Sequence, residues 1–268
     1  MIHVVTIMTG PYNECLKGQL DTLNNLFPNK DKTFTIVSDL DNQLNNYDLS
    51  KFNNIKFNWF KIIDLPYVYI LTLKLYFVLK AIEQIEYDDN DLLLYCDADT
   101  LFLEKPIDFY NNLYDEFIKY DLIFTIHPLY YEDHGIAYVW AHAGEKDRAH
   151  NWEVKNADIN KVLITSLYAG KISKLKQLSK DILYLENIDL NKDLYDRHIP
   201  PCADEEYINK VVNDHINEYR HDYNILCDRF NQIWEQEKYL QENCFVSQKY
   251  DSVWQYKAEK KNSIDYII

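Results

Sequence analysis

The chain has 268 residues, 47% hydrophobic and 15% aromatic, with 28 Lys and Arg against 43 Asp and Glu for a formal net charge of −15. With only five glycines and seven prolines, it is neither disordered nor collagen-like nor of low complexity, but a globular chain able to bury a core. A pI near 4.9 excludes general nucleic-acid binding, which draws its affinity from Lys and Arg displacing counterions from phosphates.

Any polyanionic ligand therefore needs a metal or a local basic cluster. The cysteines Cys15, Cys96, Cys202, Cys227 and Cys244 are odd in number and widely spaced, without a CxxC pair. That argues against a disulfide framework or a zinc ribbon, and for a reducing compartment. The opening MIHVVTIMTG lacks the basic region of a signal peptide. The most membrane-like run, Leu65 to Ile82, carries Lys74 and Lys80, too costly for an ordinary span. The expectation is a soluble, cytoplasmic protein.

Ile2 to Met8 is a β-branched apolar run ending at Thr9-Gly10-Pro11, the punctuation of a strand entering a loop. Leu16, Leu20, Leu23 and Phe27 then recur at helical spacing as far as Pro28. Next come a strand at Thr33 to Val37, an extended segment at Ile55 to Ile63, a helix from about Tyr69 to Ile85 and a strand at Leu92 to Cys96. A helix near Ile107 to Ile118 and a strand at Leu122 to Ile126 lead into His127 to Trp152, rich in Tyr, His and Trp and read as a functional loop. His134, His142 and His150 within it lack zinc-ligand spacing.

Beyond the loop the pattern gives a strand at Lys161 to Tyr168, helices near Ser173 to Leu185 and Asp204 to Ile216, and a strand at Tyr223 to Leu226. Strands alternating with helices imply a largely parallel sheet covered on both faces. No repeat or linker interrupts the chain, so residues 1–234 form one domain and 235–268 extend it.

Leu92-Leu93-Leu94-Tyr95-Cys96-Asp97-Ala98-Asp99 is the sharpest feature, an apolar strand delivering two carboxylates one residue apart. Ligands of open α/β sheets sit at the carboxyl ends of strands, and carboxylates so spaced can converge on a hard divalent cation that bridges the phosphates of a nucleotide-sugar diphosphate. The bland reading is one turn-capping Asp and one solvated Asp. Asp39-Leu40-Asp41, followed by an Asn-rich turn, is a useful internal control. A haloacid-dehalogenase phosphatase, whose nucleophile motif also follows a strand, fits poorly because Leu101 stands where that motif has Thr or Val and the motif lies mid-chain.

These residues resemble glycosyltransferase family 6, the retaining enzymes that include the ABO blood-group transferases and the α1,3-galactosyltransferases, in its soluble bacterial or viral form. The resemblance rests on ordered motifs. Tyr95-Cys96-Asp97-Ala98-Asp99 resembles the metal-binding strand end, Ile126-His127-Pro128 with Tyr130-Tyr131 the acceptor-binding His-Pro segment, and Asp204-Glu205 before Tyr207-Ile208-Asn209-Lys210 the acidic pair heading a helix. It implies a GT-A fold, a Rossmann-like mixed sheet flanked by helices, with the 235–268 extension closing over the donor site.

The implied activity is transfer of galactose or N-acetylgalactosamine from a UDP donor to a glycan hydroxyl in α1,3 linkage. The implied metal ligands for Mn²⁺ or Mg²⁺ are Asp97 and Asp99. Glu205 and Asp204 are the implied catalytic pair. The resemblance implies donor contacts from Tyr12, Thr9, Lys74, Ala98, Ser166 and Lys257, and contacts to a galactoside acceptor from His127, Trp234 and Glu235. Ala203 replaces the histidine usual before the acidic pair, and the family's glycine-rich strand is reduced to Thr165-Ser166-Leu167-Tyr168-Ala169-Gly170.

Each assignment has a structural counterpart. Asp204 and Glu205 can simply serve a helix N-terminus, His127 can be a core histidine, and Lys74 can snorkel. Two other function classes stay open: a non-catalytic nucleotide-sugar or glycan-binding protein on the same fold, and a GT-A transferase of another family with a different donor.

Overall fold

The computed structural model describes residues 1–65, 70, 73–126, 163–186, 208, 221–223, 227–228 and 246–248. Strands β1 (Ile2–Met8), β2 (Lys32–Ser38), β3 (Ile55–Lys61), β4 (Leu92–Cys96), β6 (Leu122–Ile126), β7 (Leu163–Lys171) and β8 (His221–Tyr223) form a seven-stranded sheet in the order β3-β2-β1-β4-β7-β6-β8. β1 lies parallel to β2 and β4, and β2 to β3, whereas β7 runs antiparallel to both β4 and β6. The sheet is thus mixed, with one reversed strand inside an otherwise parallel array.

Helices α1 (Leu16–Thr22), α2 (Lys74–Ile82), α3 (Ile107–Lys119) and α4 (Ile172–Glu186) cover the sheet. Period-two alternation sends Leu92, Leu94 and Cys96 of β4 to one face and Leu93 and Tyr95 to the other. The first face packs on Leu16 and Leu20 of α1 and on Tyr110, Leu113 and Phe117 of α3. The second packs on Leu75, Val78, Leu79 and Ile82 of α2 and on Ile172, Leu175, Leu178 and Ile182 of α4. Burial on both faces explains why β4 and the start of β6, Leu122 to Phe124, read as apolar runs, and the result is a three-layer α/β/α arrangement.

A smaller three-stranded sheet joins β5 (Thr100–Phe102), β10 (Val246–Gln248) and β9 (Cys227–Asp228), with β10 between the other two. β5 starts one residue after Asp99 and pairs antiparallel with β10, so a segment from the last part of the chain is hydrogen-bonded beside the Asp-Ala-Asp turn. At the opposite edge of the large sheet, buried His3 bonds Thr33 Oγ1 through Nδ1 at 2.9 Å and Asp91 Oδ2 through Nε2 at 3.1 Å. Burial holds that imidazole below its usual pKa, with Asp91 opposing the shift.

The helix expected over Leu16 to Phe27 is subdivided: 3₁₀ turns at Gly10–Cys15 and Leu23–Asn25 flank α1. Phe27 then takes a left-handed backbone, φ 45°, which no α-helix continues through. The segments 127–162 and 187–207 and most of the chain beyond 208 lie outside the described residues, and with them the expected aromatic loop and most of the expected Asp204 to Ile216 helix. No helix among the described residues is long and apolar enough to cross a membrane. Cys15 and Cys96 are buried in the core.

Candidate functional site at the carboxyl edge of the sheet

Because β1, β2, β4 and β6 run the same way, their carboxyl ends share one edge of the sheet. The strand order reverses direction between β1 and β4, and such a switch point opens a crevice at that edge. Its two walls are the Thr9–Tyr12 loop after β1 and the Asp97–Thr100 turn after β4. The β4 turn is closed by Thr100 N–H donating to Asp97 O at 3.1 Å, so both carboxylates lie on a single tight turn.

Asp97 is held at this edge by several hydrogen bonds. Its Oδ1 accepts from Tyr95 OH at 2.7 Å and from Lys74 Nζ at 3.1 Å. The Lys74 side chain is 7% exposed and that of Asp97 26%, an ion pair that is neither solvated nor sealed from the crevice. The Lys74 ammonium stands 5.3 Å from the Tyr95 ring centroid, within cation–π range. Tyr95 in turn stacks on Tyr168 of β7, centroids 4.8 Å apart and planes 22° from parallel. Asp99 is 3% exposed.

The backbone of the turn is held from both sides. Asp97 N–H donates to Ser166 O at 2.9 Å, and Gln19 of α1 donates Nε2 to Asp97 O at 2.8 Å. The register of β7 against β6 shifts at this level, Phe124 facing Tyr168 but Thr125 facing Ile164. An irregularity of that kind redirects side chains near functional sites, and it falls on the segment that carries Ser166. The buried Ser166 Oγ and Gln19 Oε1 have no hydrogen-bond partner among the described residues. Burial first, and then the Asp97 and Asp99 carboxylates, raise the Cys96 thiol well above its usual pKa, which keeps it an inert core group.

The Thr9–Tyr12 wall is anchored to the end of β2. Asp39 accepts Gly10 N–H at 2.9 Å through Oδ2 and Asn13 Nδ2 at 3.0 Å through Oδ1. Gly10 has φ +55°, a backbone that favours glycine. The second acidic pair is thereby accounted for structurally, Asp39 as this tether and Asp41 as the exposed partner of Lys61.

Of the residues expected at the site, the structure brings Asp97, Asp99, Lys74, Ser166 and the Thr9 loop to this one edge. Tyr12, 8% exposed, and Ala98 are buried within the first core cluster. His127, Asp204, Glu205, Trp234, Glu235 and Lys257 lie outside the described residues. Gln19 and Tyr95 were not anticipated as positioning residues. The signal for Gln19 is an amide set among Leu16, Leu20 and Leu23 on an apolar helix stripe; for Tyr95 it is a hydroxyl at an inward strand position two residues before Asp97.

Among the described residues no three His, Cys, Asp or Glu side chains form a metal-binding group. Two carboxylates on one turn nevertheless fit a hard divalent cation that draws its remaining oxygens from a diphosphate and water, the usual manner of Mg²⁺ at phosphate sites. The chain matches no protein-family model and no curated protein.

Proposed function

We propose that this α/β protein is a metal-dependent, retaining glycosyltransferase of GT-A architecture. It would move galactose or N-acetylgalactosamine from UDP to a glycan hydroxyl in α1,3 linkage. The observation that carries the reading is the placement of Asp97 and Asp99 on the turn after β4, at the switch point beside β1. The small sheet that begins at Thr100 and the mixed order of the large one are compatible with the GT-A assignment.

In this reading Asp97 and Asp99 hold Mn²⁺ or Mg²⁺. The bound cation supplies positive charge to the diphosphate of the departing UDP, a charge that a protein of net −15 otherwise lacks. Tyr95 and Gln19 keep the Asp97 carboxylate and backbone oriented. The buried Ser166 hydroxyl, one strand away, is available to a donor hydroxyl. By the family resemblance, Glu205, with Asp204, would act at the anomeric carbon on the side away from UDP and stabilise or trap the oxocarbenium-like centre, the role carboxylates take in retaining sugar transfer. His127, Trp234 and Glu235 contact the acceptor, and Lys257 the pyrophosphate; these roles rest on the family resemblance.

Calorimetric titration of UDP tests the donor site. Binding should require Mn²⁺ or Mg²⁺ and weaken by about tenfold or more in Asp99→Asn, as expected when a charged ligand to the cation is lost. Undiminished UDP binding by that variant would remove Asp99 from the site.

A further inference from the structure

We propose that Lys74 is a resident counter-cation of the Asp97 carboxylate and that it sets the metal affinity of the site. Divalent metal would bind weakly until donor phosphate arrives to balance the lysine. This rests on the metal reading above and adds to it a residue-level control.

Three observations carry the inference. The first is geometric: Lys74 Nζ lies 3.1 Å from Asp97 Oδ1, the carboxylate that would ligate the cation. A cation coordinated to Asp97 would sit within about 5 Å of that ammonium, a distance at which like charges repel appreciably even in a well-screened site.

The second concerns the helix. Lys74 is the first residue of α2, which has no acidic residue in its first turn and no side-chain cap at Leu73. A buried ammonium there opposes the helix dipole, so helix stability does not explain it. Among the described residues, Asp97 and the Tyr95 ring stand against this ammonium. The third is the polar lining. Ser166 Oγ, buried and without a partner among the described residues, flanks Asp97 through the Ser166 O bond, as expected where a further polar ligand is still to enter.

Lys74 thus serves Asp97 and the donor phosphate in turn. Without donor it neutralises Asp97. With metal and a nucleoside diphosphate present, the phosphates bring negative charge that both cations share. Metal and donor binding become cooperative, because the phosphate relieves the repulsion between lysine and metal.

The test is Mn²⁺ titration of the full-length chain by calorimetry, with no sugar donor and no turnover, in wild type, Lys74→Met, Lys74→Gln, Lys74→Arg and Asp97→Asn. Either neutral variant that retains the wild-type far-ultraviolet circular dichroism suffices. It should bind Mn²⁺ about tenfold or more tightly than wild type, and the enhancement of Mn²⁺ affinity by UDP should shrink by a similar factor. Lys74→Arg should keep wild-type affinity. Equal or weaker Mn²⁺ binding in the neutral variants, with binding still lost in Asp97→Asn, would overturn the role of Lys74 while leaving the metal site standing. Absence of Mn²⁺ binding in every protein, with and without UDP, would overturn the metal reading itself.

Discussion

Gly170 lies on the reversed strand β7, four residues beyond Ser166, whose carbonyl holds the Asp97 amide. A Cβ added there would meet Leu122 Cδ2 at 2.6 Å and Asp121 O at 2.8 Å. The leucine tip can rotate, but the carbonyl cannot easily retreat. It accepts Lys171 N–H at 3.0 Å, and the Asp121 carboxylate is paired with Lys171 at 2.7 Å and Lys174 at 3.4 Å. β6 and β7 must therefore part by roughly half an ångström, an overpacking that costs about 1–3 kcal/mol. Lower entropy of the unfolded chain returns about 0.4–1 kcal/mol of this.

Gly170→Ala should accordingly destabilise the protein by about 1–2 kcal/mol, lowering Tm by about 3–6 °C. Guanidinium unfolding followed by tryptophan fluorescence measures it. Gly10→Ala is the contrast. Its Cβ would meet nothing within 4 Å, and only the φ of +55° opposes it, for a cost of about 1 kcal/mol. A Gly170→Ala protein as stable as wild type would refute the close approach of β6 and β7 on which the placement of Ser166 depends.

Lys32, 2% exposed, donates Nζ to Phe27 O at 3.2 Å, and burial pushes its pKa from 10.5 down to about 8. As pH rises between those two values the native state has released this proton while the unfolded chain retains it, so wild type should gain up to about 3 kcal/mol relative to Lys32→Met. A pH-independent difference between the two unfolding curves would contradict the burial of a charged lysine. Phe27 meets Tyr110, Tyr114 and Phe117 edge-on, with centroids 5.4, 6.3 and 5.9 Å away. Phe27→Ala should cost about 3–5 kcal/mol in the same assay, and a loss below 1 kcal/mol would mean that this aromatic cluster can close over the void.

Apolar runs made β4 and β6 legible residue for residue, because strands buried between helical layers need no polar alternation. The Ile107 start of α3 was equally plain from its periodicity. Strand direction was not: the pattern of β7 is the same whichever way it runs, and only its pairing with β4 and β6 reveals the reversal. β5, at three residues, is too short to carry a period. The Asp-Ala-Asp turn was visible as a motif, whereas its engagement by Lys74 joins residues 23 positions apart that only the docking of α2 on β4 brings together.

The proposed activity is metal-dependent transfer from a UDP-sugar with Glu205 acting at the anomeric centre. Release of UDP from UDP-galactose and UDP-N-acetylgalactosamine, with galactoside acceptors and with or without Mn²⁺, tests it most directly in wild type and Glu205→Gln. The account predicts Mn²⁺-dependent turnover of one of these donors, reduced by orders of magnitude in the variant while UDP binding is retained. Turnover that is unchanged in Glu205→Gln, or that proceeds equally without metal, would contradict it.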